Sequence, residues 1–252
     1  MHRVHDMLLQ QVLASPRDDD ARLAYASFLR NTGDPHGEFI ELQVELAREP
    51  KAAAKRARAQ MLLAQHRAQW LTPFGDSILD ATFHRGFPSL VKVTGATLRA
   101  RAGDLFRLAP IEHLDVVDLR GDLEPVLSLR ELPQLRSLGL ANNELDDDAA
   151  FALTRAPAKV LRWLDLSCNR LTAAAFSTLV ASPLRTQLVH CGLASNAAED
   201  PAERPTDYDE YSQILAVSHP ASGQQLEAAH GYVAWLHVHT SDLLAFPPDR
   251  FA

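Results

Sequence analysis

Two stretches of eleven residues, LRSLGLANNEL at 135–145 and LRWLDLSCNRL at 161–171, fit L-x-x-L-x-L-x-x-N-x-L without exception and lie 26 residues apart. Few chains can satisfy that spacing in more than one way. Strand alternation puts Leu138 and Leu140, and Leu164 and Leu166, on one side of two short strands, and the residues between them on the other. The asparagine at position nine carries both a donor and an acceptor. It can therefore satisfy the backbone of an adjacent turn that stacking would otherwise bury unpaired.

Following the period outward gives weaker copies. Residues 88–98 place Val91 and Val93 inward, residues 114–122 place Leu114, Val117 and Leu119, and residues 188–196 place Cys191 and Leu193. Taking the second inward residue as a marker gives Val93, Leu119, Leu140, Leu166 and Leu193, with steps of 26, 21, 26 and 27. The array resembles the leucine-rich repeat, in which each unit is a strand followed by a returning helical segment. That resemblance implies an α/β fold: a short solenoid with parallel strands on a concave face and helices on a convex one. The longer steps leave room for helices over 147–155 and 173–181, capped by Asp146 and Thr172. The short step has room only for a turn around 124–129. Residues 197–211 read as an acidic insertion broken by Pro201 and Pro205, its end made interaction-prone by Tyr208 and Tyr211. Beyond a helix at 224–230, residues 233–243 read as a sixth, degenerate strand. A terminal cap is required because the last repeat would otherwise expose its apolar side.

Upstream, Val4, Met7, Leu8, Val12 and Leu13 recur at helical spacing, and Ser15-Pro16 ends that pattern. Asp18, Asp19 and Asp20 supply a cap and first-turn acids for a second helix, which stops near Gly33. A third helix runs from about 37 to 48, and a basic, alanine-rich fourth covers 51–71. The run from Leu9 to Leu29, followed by GDPHGEFIELQ at 33–43, resembles the bacterial repeat-companion domain, a small helical module found before repeat arrays in myxobacteria and planctomycetes. The chain departs from that family at Ser27-Phe28, where an Asp-Trp pair is usual. The two resemblances together divide the chain into a helical module at 1–72 and a repeat region at 73–252.

Composition excludes several classes. No run of about 18 apolar residues exists, so no membrane span is expected, and the N-terminus has no apolar signal core. A cytoplasmic location is the expectation. Cys168 and Cys191 are too few for a disulfide framework and read as buried free thiols. No Walker loop, dinucleotide fingerprint, nucleophile elbow, H-E-x-x-H or C-x-x-C occurs, so neither a cofactor nor catalysis is expected. The net charge of −7 hides a basic middle: residues 51–107 hold ten Lys or Arg against three Asp or Glu. Lys51, Lys55, Arg56, Arg58 and Arg67 could contact nucleic acid. The lack of interleaved aromatics favours a solvated helix face instead.

The expected function is a non-catalytic adaptor that binds a protein through the concave strand face. Its candidate contacts are Lys92, Asp118, Arg120, Trp163, Asp165 and His190, with Trp235, His237 and His239 from the sixth strand. A tryptophan standing among Gly139, Ala141, Gly192 and Ala194 has the composition of a binding hot spot. The alternative is a metal site. His237 and His239 would lie about 7 Å apart on one strand face, with His190 and Asp165 as further ligands. Three or four convergent ligands are needed, and the sequence supplies one pair.

Overall fold

The computed structural model describes residues 2–197 and 220–237. It is an α/β protein whose described residues include six strands in one mostly parallel sheet, ordered β1 to β6 as in the chain. Among the described residues no helix is long and apolar enough to cross a membrane. The chain divides into two compact units: Met1–Val91 with Arg101–Glu112, and Lys92–Ala100 with His113–Ala252.

The first unit holds α1 (His2–Ala14), α2 (Asp19–Asn31), α3 (Pro35–Arg48) and α4 (Ala53–Leu71), then β1 (Asp80–His84) and the start of β2 (Phe87–Thr94). Asp18 caps α2 by accepting the Asp20 and Ala21 N–H groups. Asp34 caps α3 by accepting the His36 N–H, so that helix starts at Pro35, two residues before the expected 37. The helices close on Val12, Tyr25, Ala26, Leu29, Ile40 and Val44, with Phe87 from β2 in the same cluster. Gly37 lets α2 and α3 approach closely. A Cβ there would lie 2.5 Å from the Ala26 carbonyl oxygen and 2.8 Å from the Arg30 nitrogen.

The turn between β1 and β2 explains why the 33–43 block reads as it does. Arg85 and Gly86 both have positive φ (48° and 88°), the geometry of a two-residue hairpin. Three side chains hold this turn. Arg22, fully buried, donates from Nη1 to the Arg85 carbonyl at 2.9 Å and from Nε to the Pro16 carbonyl at 3.1 Å. His36 Nε2 meets the Gly86 carbonyl at 2.7 Å, and Gln43 Oε1 accepts the Gly86 N–H at 2.9 Å. Gly86 itself packs on Ile40, so any side chain there would collide with α3. This hairpin falls within residues 73–252, which the sequence assigns to the repeat region, yet its turn is bound up with the helical block.

The second unit contains β3 (His113–Val117), β4 (Ser137–Gly139), β5 (Trp163–Asp165) and β6 (His190–Gly192). These are parallel, with Leu114 beside Leu138, Leu138 beside Leu164, and Leu164 beside Cys191. Between the strands lie α6 (Glu124–Leu127), α7 (Asp147–Arg155), α8 (Ala173–Ala181) and α9 (Leu184–Gln187). Asp146 and Thr172 cap α7 and α8 through side-chain bonds to Asp148, Ala149 and Ala174 nitrogens, as the sequence predicts. The short step carries α6, a single helical turn, and a 3₁₀ turn over Leu132–Gln134. After β2, the first step of 26 residues also holds a helix, α5 (Gly95–Leu108), which is broken at Arg101 (φ −139°, ψ 16°).

Buried asparagines tie the units of this array together. Asn143 Oδ1 accepts the Leu119 N–H, while its Nδ2 donates to the Val116 and Ala141 carbonyls. Asn169 Oδ1 accepts the Asn143 and Leu145 N–H groups, and its Nδ2 donates to the carbonyls of Leu140, Leu166 and Ser167. Asn196 does the same for Leu171, Leu166 and Leu193. Each amide spends its donors and acceptor on backbone that would otherwise be buried unpaired.

This ladder corrects the register of the weakest unit. Leu119 occupies the place that Asn143 and Asn169 hold in the next two units, so the inward pair of β3 is Leu114 and Val116, not Val117 and Leu119. Backbone conformation agrees: Asp118, Asn142, Cys168 and Ser195 all have φ between 56° and 59°, one residue before the ladder position. The markers from Val116 onward are then spaced by 24, 26 and 27 residues. Cys168 is exposed because it sits in that left-handed turn, whereas Cys191 is buried. The expectation of two buried thiols holds for one.

At the C-terminal side α10 (Pro220–His230) is followed by a 3₁₀ turn over Ala234–His237. The expected sixth strand at 233–243 therefore does not form over its first residues. Apart from Ala197, the acidic insertion lies outside the described residues, as do residues 238–243.

Candidate polar face of the repeat sheet

The parallel register fixes which side chains share the sheet face opposite the leucines. His113, Ser137, Trp163 and His190 form one row across β3 to β6, and Asp115, Gly139, Asp165 and Gly192 form the next. Beyond them lie Val117, Ala141, Ser167 and Ala194, all half-buried.

In the first row Trp163 stands half-buried and stacks on His190, with ring centroids 5.1 Å apart and planes at 28°. His190 is only 6 % exposed, and among the described residues its buried Nδ1 has no hydrogen-bond partner. Burial pushes its pKa down to about 4, against the upward pull of Asp165. At neutral pH it is therefore an uncharged ring that props the indole rather than a cation.

In the second row small and acidic residues alternate. An ideal Cβ on Gly139 would lie 2.8 Å from Asp115 Oδ1, and one on Gly192 would lie 2.6 Å from Asp165 Oδ1. Each aspartate leans over a glycine of the next strand, which has no side chain to obstruct it. Lys92 on β2 pairs with Asp115 at 3.2 Å. Asp165 Oδ1 accepts the Ser167 N–H at 2.9 Å, and no Lys or Arg among the described residues forms an ion pair with it.

The other expected contacts fall elsewhere. Asp118 and Arg120 lie in the turn after β3, both with positive φ, and pair with each other at 2.8 Å. The three-residue error of register put them on the strand face, and Asp115 takes that place. They border a shallow cleft of about 280 Å³ together with Gly95, Arg99 and Pro125. Its second guanidinium, Arg99, is matched by Asp122 and Glu124. Trp235 is 1 % exposed within the 3₁₀ turn, so it is a core residue and not a surface contact. His237 has its backbone in that turn rather than on a strand, and His239 lies outside the described residues. Among the described residues no three His, Cys, Asp or Glu side chains are grouped to hold a metal ion.

The basic helix α4 has most of its charge matched locally. Lys55 faces Glu45 and Glu49 at 3.1 and 3.5 Å, Arg58 pairs with Glu38 at 2.6 Å, Arg67 pairs with Asp80, and Arg56 donates to the Pro50 carbonyl. That local neutralisation leaves little excess charge for a phosphate backbone.

Asp115 and His113 escaped the sequence reading. Aligning Ile111, Leu114 and Val116 with Leu135, Leu138 and Leu140 would have found them, at the cost of accepting Leu119 in an asparagine position. Comparison with family models, curated proteins and solved structures finds no match for the chain.

Proposed function

We propose that this chain is a non-catalytic interaction module: a leucine-rich-repeat array, headed by a helical block of the repeat-companion type, that binds a protein partner on the polar face of its sheet. One observation carries the reading. Trp163 is half-buried and braced by a buried, neutral His190, on a face where Gly139, Gly192, Ala141 and Ala194 leave room around the indole. A rigid aromatic side chain among small residues presents large contact area at low entropic cost, which is how binding energy concentrates in interfaces. The backbone around it is held by the asparagine ladder, so the surface is preorganised and little ordering remains to be done on binding.

The test is affinity recovery of partners from the native cell with the parent chain, Trp163→Ala and Asp165→Ala. Loss of a specific partner with Trp163→Ala, while that variant melts cooperatively, supports the reading. Unchanged recovery with both variants removes it.

A further inference from the structure

We infer that the ligand of this face is a polypeptide segment presenting a basic side chain, arginine or lysine, which pairs with Asp165 alongside Trp163. The inference rests on the reading of this face as a binding surface and specifies what the surface recognises.

Charge is unevenly matched along a single row of the sheet. Lys92, Asp115, Gly139, Asp165 and Gly192 lie on consecutive strands, with one cation for two carboxylates. The Lys92–Asp115 pair is complete. Asp165, two strands or about 10 Å from Asp115, is too far away to share that lysine. Both lateral neighbours of Asp165 are glycines, so no side chain from β4 or β6 at that level screens the carboxylate. The imidazole nearby is uncharged at neutral pH and offers no compensation.

A half-buried carboxylate held in this way by the Ser167 N–H gains most from an incoming cation, because a charge-assisted hydrogen bond there is less screened than in open water. Trp163 is two residues earlier on the same strand and face, about 7 Å away. A guanidinium or ammonium reaching Asp165 would lay its aliphatic stem along the indole and gain a cation–π contribution. The net charge of −7 draws a basic segment toward the chain. The same unmatched carboxylate repels a phosphate-rich surface or an acidic peptide, and so selects against nucleic acid and anionic membranes at this face.

The experiment compares a short Arg-Ser repeat peptide with its citrulline counterpart, which keeps the shape and removes the charge. Binding is measured by calorimetry at low salt with the parent chain and with Asp165→Asn. Asparagine retains the Oδ1 acceptor for Ser167, so the loop is preserved. The expected result is binding of the arginine peptide, at least about tenfold weaker for citrulline and for Asp165→Asn, and weakening with salt. Ala194→Lys is a second variant that leaves Asp165 in place and supplies a lysine from the turn just after β6. It should weaken the arginine peptide likewise. Equal binding of the two peptides, an undiminished Asp165→Asn, or no binding of either peptide overturns the inference. Failure of the wider reading looks different: there, recovery of the native partner survives Trp163→Ala. If it is lost with Trp163→Ala yet unchanged with Asp165→Asn, the binding face stands and the basic ligand does not.

Discussion

Asn169 Oδ1 accepts the backbone N–H of Asn143 at 3.0 Å, so an asparagine in one unit holds the asparagine of the unit before it. The same oxygen also takes the Leu145 N–H, and the amide nitrogen reaches three carbonyls. Asn169→Ala should strip all of these from a residue only 7 % exposed. The expected cost is about 3 kcal/mol of unfolding free energy. Urea denaturation measures it, and a loss within error of zero would mean that water replaces the amide fully.

Arg22 is the buried charge on which the first unit turns. Its guanidinium lies 5.1 Å from the Phe87 ring centroid and serves the Arg85 and Pro16 carbonyls. Burial lowers its pKa to about 10, and Glu112 pulls it the other way. Arg22→Met keeps the apolar stem and orphans both carbonyls, so a loss of about 3 kcal/mol is expected. Hydrogen exchange should show faster exchange at the Gly86 N–H than in the parent.

Gly37→Ala tests the close approach of α2 and α3. The added methyl meets backbone atoms rather than a flexible side-chain end, so the helices must move apart. Destabilisation by about 2 kcal/mol is expected, despite the better helix propensity of alanine. A thermal melt at or above that of the parent would show that the crossing is looser than described.

Acid should weaken the fold through its buried histidines. His190 (about 4) and His36, also lowered, titrate below the usual imidazole value of 6.5, in both cases chiefly because burial disfavours the charged ring. Above 6.5 both forms of the chain carry neutral imidazoles and the stability is complete. Between 6.5 and about 4 the unfolded chain takes up protons that the folded chain refuses, so stability falls as pH falls. Chemical denaturation at pH 7 and pH 4.5 should show this slope, and His190→Gln should reduce it. An unaltered slope would assign the effect to other groups.

Lys92→Ala releases Asp115 from its partner and gives the face a second unmatched carboxylate. Binding of the arginine peptide should tighten by about threefold, the scale of a half-exposed ion pair. The same titration reads it. A weaker complex would place Lys92 in contact with the ligand.

Two perfect units at 135–145 and 161–171 were enough to identify the core leucines, the helix caps at Asp146 and Thr172, and the bonding role of the asparagines. All three follow from local alternation and from the donors and acceptors of single side chains. Trp163 and Asp165 were legible for the same reason, since a residue between two inward leucines has only the other face to occupy. The unit around 111–121 was misread because its ladder position holds leucine. Its register is fixed by the Leu119 N–H meeting Asn143, 24 residues away, which no local pattern records. The reading of Trp235 as a surface residue failed because the alternation around it resembles a strand until packing folds Ala234–His237 into a turn.

By itself, then, the sequence determined the period, the two-sidedness of the strands and the block that precedes them, because these depend on neighbours within a few residues. Only the tertiary structure decided that Arg22 would grip a turn 63 residues later, that a buried His190 would stack on Trp163, and that Asp115 would stand beside Gly139. Each of those is a contact between segments far apart in the chain. Its existence depends on how neighbouring strands align, and that alignment is set by the summed packing of the core and the ladder rather than by either residue.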